Sequence, residues 1–472
     1  MFKKILVANR GEIACRIIRA AKELDIPTAA IFSEVEPTAR HVKMADEAYM
    51  LGANPLDAYL NYELIIDLAK SIGADAVHPG YGFLAENAEF AKAAEDNDIN
   101  FIGPSSEVIA LMGDKARSKE VMKRFGVATV PGSDGILKSL EEAIEIAKEI
   151  TYPILLKATA GGGGRGIRLC KNEEELKKNY ESAYSEAKKA FGNGDLLLEK
   201  FIENPKHTEF QILGDKYGNV IHLGERDCSI QRKNQKMIEI APSIILTEEK
   251  RKFYGDAMVN ACKQIGYYSA GTIENVSDLQ GNTYFIEMNT RVQVEHPVTE
   301  MITGVDIVKE QIKIAAGQKL AIKQEDVKLN GFAIECRINA EDSKHDFRPS
   351  IGTVERYYVP GGNNIRVESA VSVGFEVTPY YDSLIAKLIC WGKTFEEAIQ
   401  KTKIALDSYE ISGIKTTIPI LKQIIQQEDF KTGLFTTKYL EEHPEVFNYD
   451  EVKDKEDYVA FISAALAAYH GL

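Results

Sequence analysis

Ala270–Val276 and Thr283–Met288 alternate in the manner of strands, with the turn cluster Asp278–Asn282 between them. A hairpin centred between Gln280 and Gly281 sets Glu274 opposite Glu287, with their Cβ atoms about 5 Å apart. Two opposed carboxylates repel unless a cation lies between them, and an oxygen-preferring divalent metal is what they would hold. An exposed pair facing solvent is the other reading. The alternation continues through Glu287, Asn289, Arg291, Gln293 and Glu295, which share one parity. An extended stretch would then project a metal ligand, an anion clamp and a candidate general base from one face. Phe332–Glu341 repeats the pattern, with Arg337 on its polar face.

A second group surrounds a glycine run. Gly161, Gly162, Gly163 and Gly164, then Gly166, follow Lys157 at the end of the apolar strand Ile154–Lys157. Glycine lets backbone amides approach phosphate oxygens closely. No Gly-Lys-Ser/Thr follows, and Ile167–Leu169 is strand-like. The segment therefore reads as a strand–loop–strand flap over a nucleotide rather than a P-loop, with a flexible surface turn as the alternative. Asp227–Lys236 is a basic run that suits phosphate or bicarbonate, or else a solvated turn. His207 says little by itself. HExxH and GxSxG segments are absent, so zincin and serine-hydrolase chemistry lacks support.

The elements that must position these groups begin with a βα alternation. Ile5–Ala8, Ala29–Phe32, Asp75–His78 and Phe101–Ile102 read as strands between amphipathic helices, the pattern of a doubly wound parallel sheet. Its first turn, Asn9-Arg10-Gly11-Glu12, has one glycine where a dinucleotide fingerprint has three, which argues against NAD. The 472 residues carry 57 basic and 71 acidic side chains, a net charge of −14. That balance argues against nucleic-acid or anionic-membrane binding. Six cysteines without metal or CxxC spacing read as isolated buried thiols. The apolar run at Ile5–Ala8 is too short for a signal peptide, so a cytoplasmic protein is expected.

Together Lys157, the glycine flap, Glu199-Lys200 and the Glu274/Glu287/Asn289 trio resemble the ATP-grasp superfamily. Within it, the chain is similar to biotin carboxylase over roughly residues 3 to 446. The carrying segments are Ile5–Ala14, His78–Asn87, Met112–Lys115, Gly161–Arg168, Glu225–Gln231, Phe285–Pro297 and Glu335–Asn339. The resemblance implies an α/β, three-domain ATP-grasp architecture: an N-terminal Rossmann-like domain at 1–112 and a helical connector at 113–130. A glycine-rich lid at 131–203, a strand-rich catalytic and dimerisation domain at 204–446 and a tail at 447–472 follow.

What the resemblance implies chemically is carboxylation of biotin by ATP and bicarbonate. Lys115, Lys157, Gly162, Gly163, Gly164, Glu199, Lys200, Ile202, His207 and Gln231 would bind ATP. Glu274, Glu287 and Asn289 would carry Mg2+ or Mn2+. Lys236, Arg291, Gln293, Val294 and Glu295 would hold bicarbonate, with Glu295 the base and Lys236, Arg291, Glu295 and Arg337 the catalytic set. Tyr81, Phe83 and Arg337 would meet biotin.

The sequence also departs from the family. Asn234 stands where a histidine is usual, and Glu239-Ile240 precedes Ala-Pro where two acidic residues are usual. These features and the tail resemble the small subunits of two-subunit 2-oxoacid carboxylases, acting on 2-oxoglutarate or pyruvate. An acetyl-CoA or acyl-CoA carboxylase component is the alternative. Biotin would then arrive on a separate biotinylated carboxyltransferase or carrier subunit, the chain itself forming a homodimer. Tyr458, Phe461, Ile462 and Leu466 are expected to form an amphipathic helix that docks on that partner or packs on its own domain.

Overall fold

The computed structural model describes every residue except 159–166, 192–193, 451–454 and 471–472. The N-terminal strands β1 (Ile5–Val7), β2 (Thr28–Phe32), β3 (Glu47–Met50), β4 (Ala76–His78) and β5 (Asn100–Phe101) form a parallel sheet of order β3-β2-β1-β4-β5. Helices cover both faces, so β1 is buried at every residue, as a parallel strand must be. Strand β3 escapes a sequence reading because it is a half-exposed edge strand, with Glu47 and Tyr49 among its four residues.

Beyond the carboxyl ends of β1 and β4, Asn9 Nδ2 donates to the carbonyls of Pro79 (2.6 Å) and Tyr81 (2.8 Å). This fixes the His78–Phe83 turn. A Cβ on Gly80, which sits at φ +64°, would lie 2.9 Å from that amide, so glycine is required there.

Strands β6 (Ile154–Ala158), β7 (Ile167–Cys170) and β8 (Leu196–Lys200) make an antiparallel sheet of order β7-β6-β8. Ile154, Leu156 and Ala158 pack inward, which leaves Lys157 on the open face. The expected strand–loop–strand is present in its flanks, where Lys157 pairs with Ile167. Gly162, Gly163 and Gly164 lie outside the described residues.

An eight-stranded sheet supplies the rest. Its order is β13 (Thr283–Asn289), β12 (Ser269–Ser277), β9 (Lys206–Gly214), β10 (Val220–Arg232), β11 (Gln235–Ala241), β14 (Phe332–Asn339), β21 (Leu384–Gly392), β19 (Ile365–Ser369). Three short ribbons flank it: β15 (Glu341–Asp342) with β16 (Arg348–Pro349), β17 (Gly352–Thr353) with β20 (Glu376–Val377), and β18 (Arg356–Tyr358) with β22 (Glu410–Ser412). Val7, Ile13 and Ile17 of the first unit share one core with Leu213, Ala270 and Ile307 of this one. That common core holds the N-terminal turn against the large sheet.

Two expectations fail here. The extended stretch from Glu287 ends at Asn289, and residues 290–295 form a loop into the helix His296–Thr303. The tail helix, Lys455–His470, is not amphipathic, because five alanines lie among its large apolar residues and nothing from Tyr458 to Tyr469 is charged. Among its described residues Val459, Ile462, Leu466 and Tyr469 are exposed rather than buried in a core of the chain.

Candidate active site

Register lines up charges across four strands of the large sheet. Glu287 on β13 faces Glu274 on β12, which faces Glu209 on β9, which faces Arg226 on β10. Arg226 is wholly buried and spends all five donors. They go to Glu209 Oε1 (2.5 Å), Gln211 Oε1 (2.7 Å), Thr299 Oγ1 (3.0 Å), Thr272 Oγ1 (3.2 Å) and Gln293 Oε1 (2.7 Å). Gln293 is thereby oriented to donate its amide to Glu274 Oε1 at 2.9 Å.

Above this row Lys236 of β11 donates to Glu209 Oε2 (2.6 Å), Glu274 Oε1 (2.9 Å) and Glu295 Oε1 (2.6 Å). The other oxygen of Glu295 accepts from Arg337 Nη2 at 2.9 Å. Burial opposes charge on all three groups, and the mutual attraction outweighs it. Lys236, flanked by Glu209 and Glu295, is held well above the usual lysine range. Glu295, between Lys236 and Arg337, is held well below the carboxylate range. Glu274 is likewise lowered, with His207 Nε2 at 3.2 Å from its second oxygen and Lys236 on its first. A carboxylate base thus sits between two cations, the arrangement that seats a small oxyanion beside its own proton acceptor.

Position within the loop comes from below. Lys387, buried on β21 opposite Arg337, donates to the Val294 carbonyl (2.8 Å) and pairs with Glu12 (3.0 Å). Glu12 in turn accepts from the Tyr81 hydroxyl, so Tyr81 is tied to the same group of residues as Arg337. Phe83 stacks on Tyr59 with centroids 5.0 Å apart and is 37% exposed, which leaves part of its surface open.

The remaining expected residues form smaller groups. Lys157 and Lys119 bind opposite oxygens of Glu199, Lys119 at 2.6 Å, and the two cations outweigh burial to hold its pKa below the usual carboxylate range. Lys200 donates to the carbonyls of Thr151 (3.0 Å) and Tyr152 (3.1 Å), and half-buried Ile202 follows it. Gln231 pairs with Lys236 across the β10–β11 ladder. Lys115 reaches Glu287 Oε2 at 3.2 Å. Arg291 stands apart from the Lys236 network, with Nε on Glu86 Oε2 (2.7 Å) and Nη2 on Asn289 Oδ1 (2.6 Å).

Glu209, Arg226, Lys119, Glu86 and Lys387 were not foreseen. The alternation of His207, Glu209 and Gln211 along one strand was a readable signal for the first of them.

Glu274, Glu287 and Asn289 offer oxygen donors only, which suits Mg2+ or Mn2+. Glu274 and Glu287 face each other across the β12–β13 ladder, a carboxylate pair whose repulsion a cation would relieve. The buried Asn289 Nδ2, a donor without a hydrogen-bond partner, calls for an acceptor and not for the ion. The residues fit the ion.

Residues 1–109 match the N-terminal domain of biotin carboxylase, 114–323 the ATP-binding domain of the carbamoyl-phosphate synthase L chain, and 335–442 the biotin carboxylase C-terminal domain. The chain is 71% identical over 472 residues, all of both chains, to the 2-oxoglutarate carboxylase small subunit of Hydrogenobacter thermophilus. It is 54% identical over 443 residues to biotin carboxylase 1 of Bacillus subtilis, 93% of this chain and 98% of that one. A crystal structure of the Hydrogenobacter thermophilus 2-oxoglutarate carboxylase biotin carboxylase domain dimer, in complex with MgADP, ADP and bicarbonate, superposes with a TM-score of 0.85. That match is 71% identical and covers 96% of this chain and all of that one. With the charged row and the three domain matches in agreement, the chain belongs to the biotin carboxylase family of ATP-grasp enzymes.

Proposed function

We propose that the chain carboxylates biotin with ATP and bicarbonate, as the first half-reaction of a two-subunit 2-oxoacid carboxylase. The observation that carries this is Glu295, a buried carboxylate gripped by Lys236 on one oxygen and Arg337 on the other. Bicarbonate is a weak nucleophile. Lys236 holds it, with Gln293 and the Val294 backbone beside it and Arg291 reaching it from its place against Glu86 and Asn289. Glu295 takes the bicarbonate proton as the bicarbonate oxygen attacks the γ-phosphorus of ATP and ADP leaves.

Carboxyphosphate then breaks to CO₂ and phosphate. The phosphate takes the N1′ proton of biotin, and N1′ forms a bond to CO₂. Arg337 stabilises the enolate-like ureido oxygen that develops, with Tyr81 and Phe83 lining the biotin side. Lys115, Lys157, Glu199, Lys200, Ile202, His207 and Gln231 hold ATP, and the lid excludes water from carboxyphosphate. When bound by Glu274, Glu287 and Asn289, Mg2+ or Mn2+ neutralises charge on the phosphates.

The full-length similarity to a 2-oxoglutarate carboxylase small subunit favours the 2-oxoacid class, with 2-oxoglutarate or pyruvate as the acceptor, over an acyl-CoA carboxylase. Biotin is then presented by a separate biotinylated carboxyltransferase or carrier subunit, and the chain acts as a homodimer in the cytoplasm. No described helix is long and apolar enough to cross a membrane. The exposed tail helix is the contact for that subunit: deleting residues 452–472 abolishes partner binding and leaves free-biotin turnover, and retained binding would contradict it. The half-reaction is tested by incubating the chain with MgATP, labelled bicarbonate and free biotin. Label on biotin that depends on ATP supports it; ATP-dependent turnover with no label on biotin overturns it.

A further inference from the structure

Behind Arg337 lies a carboxyl pair that the reaction does not use. Glu239 on β11 and Glu335 on β14 are direct cross-strand partners, and both are wholly buried. Glu239 Oε1 accepts from Arg337 Nε at 2.5 Å. Its second oxygen and both oxygens of Glu335 have no hydrogen-bond partner. A buried ionised carboxylate without a hydrogen bond or counter-ion is not stable.

The cations nearby are committed. Lys236 binds Glu209, Glu274 and Glu295, and Lys387, opposite Arg337 on β21, binds Glu12 and the Val294 carbonyl. From β10 the pair is faced by the Cys228 thiol, held protonated by burial, while Cys336, the next residue after Glu335 on β14, turns into the core on the opposite face of the sheet. On the helix His296–Thr303, burial keeps His296 neutral, and Glu300 is bound to Arg16 and Arg366.

We infer that Glu239 and Glu335 are positioning residues for Arg337: Glu239 is the carboxylate that fixes Nε, and Glu335 is a neutral carboxylic acid. As a neutral group Glu335 fills its place without cancelling the charge that Arg337 presents to biotin. This rests on the biotin carboxylation reading. Burial supports the assignment, pushing Glu335 well above the carboxylate range and Glu239 up to about 7 against the pull of Arg337. Ile240, where the family usually has a second acid, faces Ile334 in the core instead, so the acid retained is the one on the Arg337 side.

The sign follows. Glu335 favours the protonated form, so wild type keeps an effective Arg337 wherever Glu239 is ionised and Glu335 is still neutral. It loses that on the alkaline side, when Glu335 ionises and three carboxylates surround one guanidinium.

The test measures biotin-dependent phosphate release by the full chain with MgATP, bicarbonate and free biotin across pH. Glu335→Gln, which cannot ionise, is expected to keep kcat within about threefold at neutral pH and to move the alkaline limb upward by about one unit or more. Glu239→Gln is expected to lower kcat about 10- to 100-fold with the KM for ATP unchanged. An infrared difference spectrum of wild type minus Glu335→Gln at neutral pH should show a carboxylic-acid band. A Glu335→Gln enzyme as impaired as Glu239→Gln, an unmoved alkaline limb, or no carboxylic-acid band would each overturn the assignment. Wild type without any bicarbonate-dependent turnover would instead overturn the reaction beneath it.

Discussion

Glu274 and Glu287 stand opposite each other because Ile286 is an extra residue in its strand. Near the turn the ladder pairs Ser277 with Thr283 and Asn275 with Phe285, and then steps directly to Glu274 with Glu287. An unbroken ladder would set Glu274 against Ile286 and send the Glu287 side chain through the opposite face of the sheet. The bulge thus aims the second carboxylate at the first.

Glu287→Gln removes one of the two opposed carboxylates. It is expected to weaken MgADP binding about tenfold, with binding of metal-free ADP unchanged. Calorimetric titration with and without Mg2+ checks this, and an equal loss in both titrations would contradict the assignment.

Lys119 shares Glu199 with Lys157. Replacing it by methionine leaves Glu199 to Lys157 alone and draws that ammonium away from phosphate. The KM for ATP is expected to rise about three- to tenfold with bicarbonate dependence unchanged. Steady-state kinetics decide it.

Glu86 anchors Arg291, and its other oxygen accepts from the Thr290 amide at 3.2 Å. Glu86→Gln keeps the shape and loses the charge. The KM for bicarbonate is expected to rise about tenfold, and the KM for ATP to stay as it is. An unchanged bicarbonate KM would separate Arg291 from the anion.

Asn234 has a conformational reason to be where it is. Lys233 and Asn234, at φ 47° and 67°, are the two-residue turn between β10 and β11, which pair Arg232 with Gln235. Such a turn needs the left-handed conformation at both positions, and asparagine tolerates it. Asn234→Gly is expected to leave stability nearly unchanged, and Asn234→Val to cost about 1–2 kcal/mol in denaturant unfolding.

Much of this was legible in the residues. The apolar runs gave the parallel sheet, and alternation placed the Glu274–Glu287 hairpin, although its turn centres on Gln280, half a residue from the expected position. The bulge at Ile286, which no side-chain pattern announces, made up the difference. Contacts between distant strands were not legible. Lys387 supports Val294 from 93 positions away in sequence, and Arg226 of β10 meets Gln293 of the 290–295 loop across 67 positions. The loop at 290–295 also defeated alternation, because convergence on Lys236 and Arg337 there comes from tertiary hydrogen bonds rather than from a strand face.

Glu295 carries the central claim. Phosphate release from ATP should be measured with Mg2+, with and without bicarbonate and free biotin, for wild type and Glu295→Gln. The account predicts bicarbonate-dependent release that biotin stimulates in wild type, and a fall of about 100-fold or more in the variant with ADP binding retained. Release that ignores bicarbonate, or a Glu295→Gln enzyme that keeps its bicarbonate-dependent rate, would contradict it.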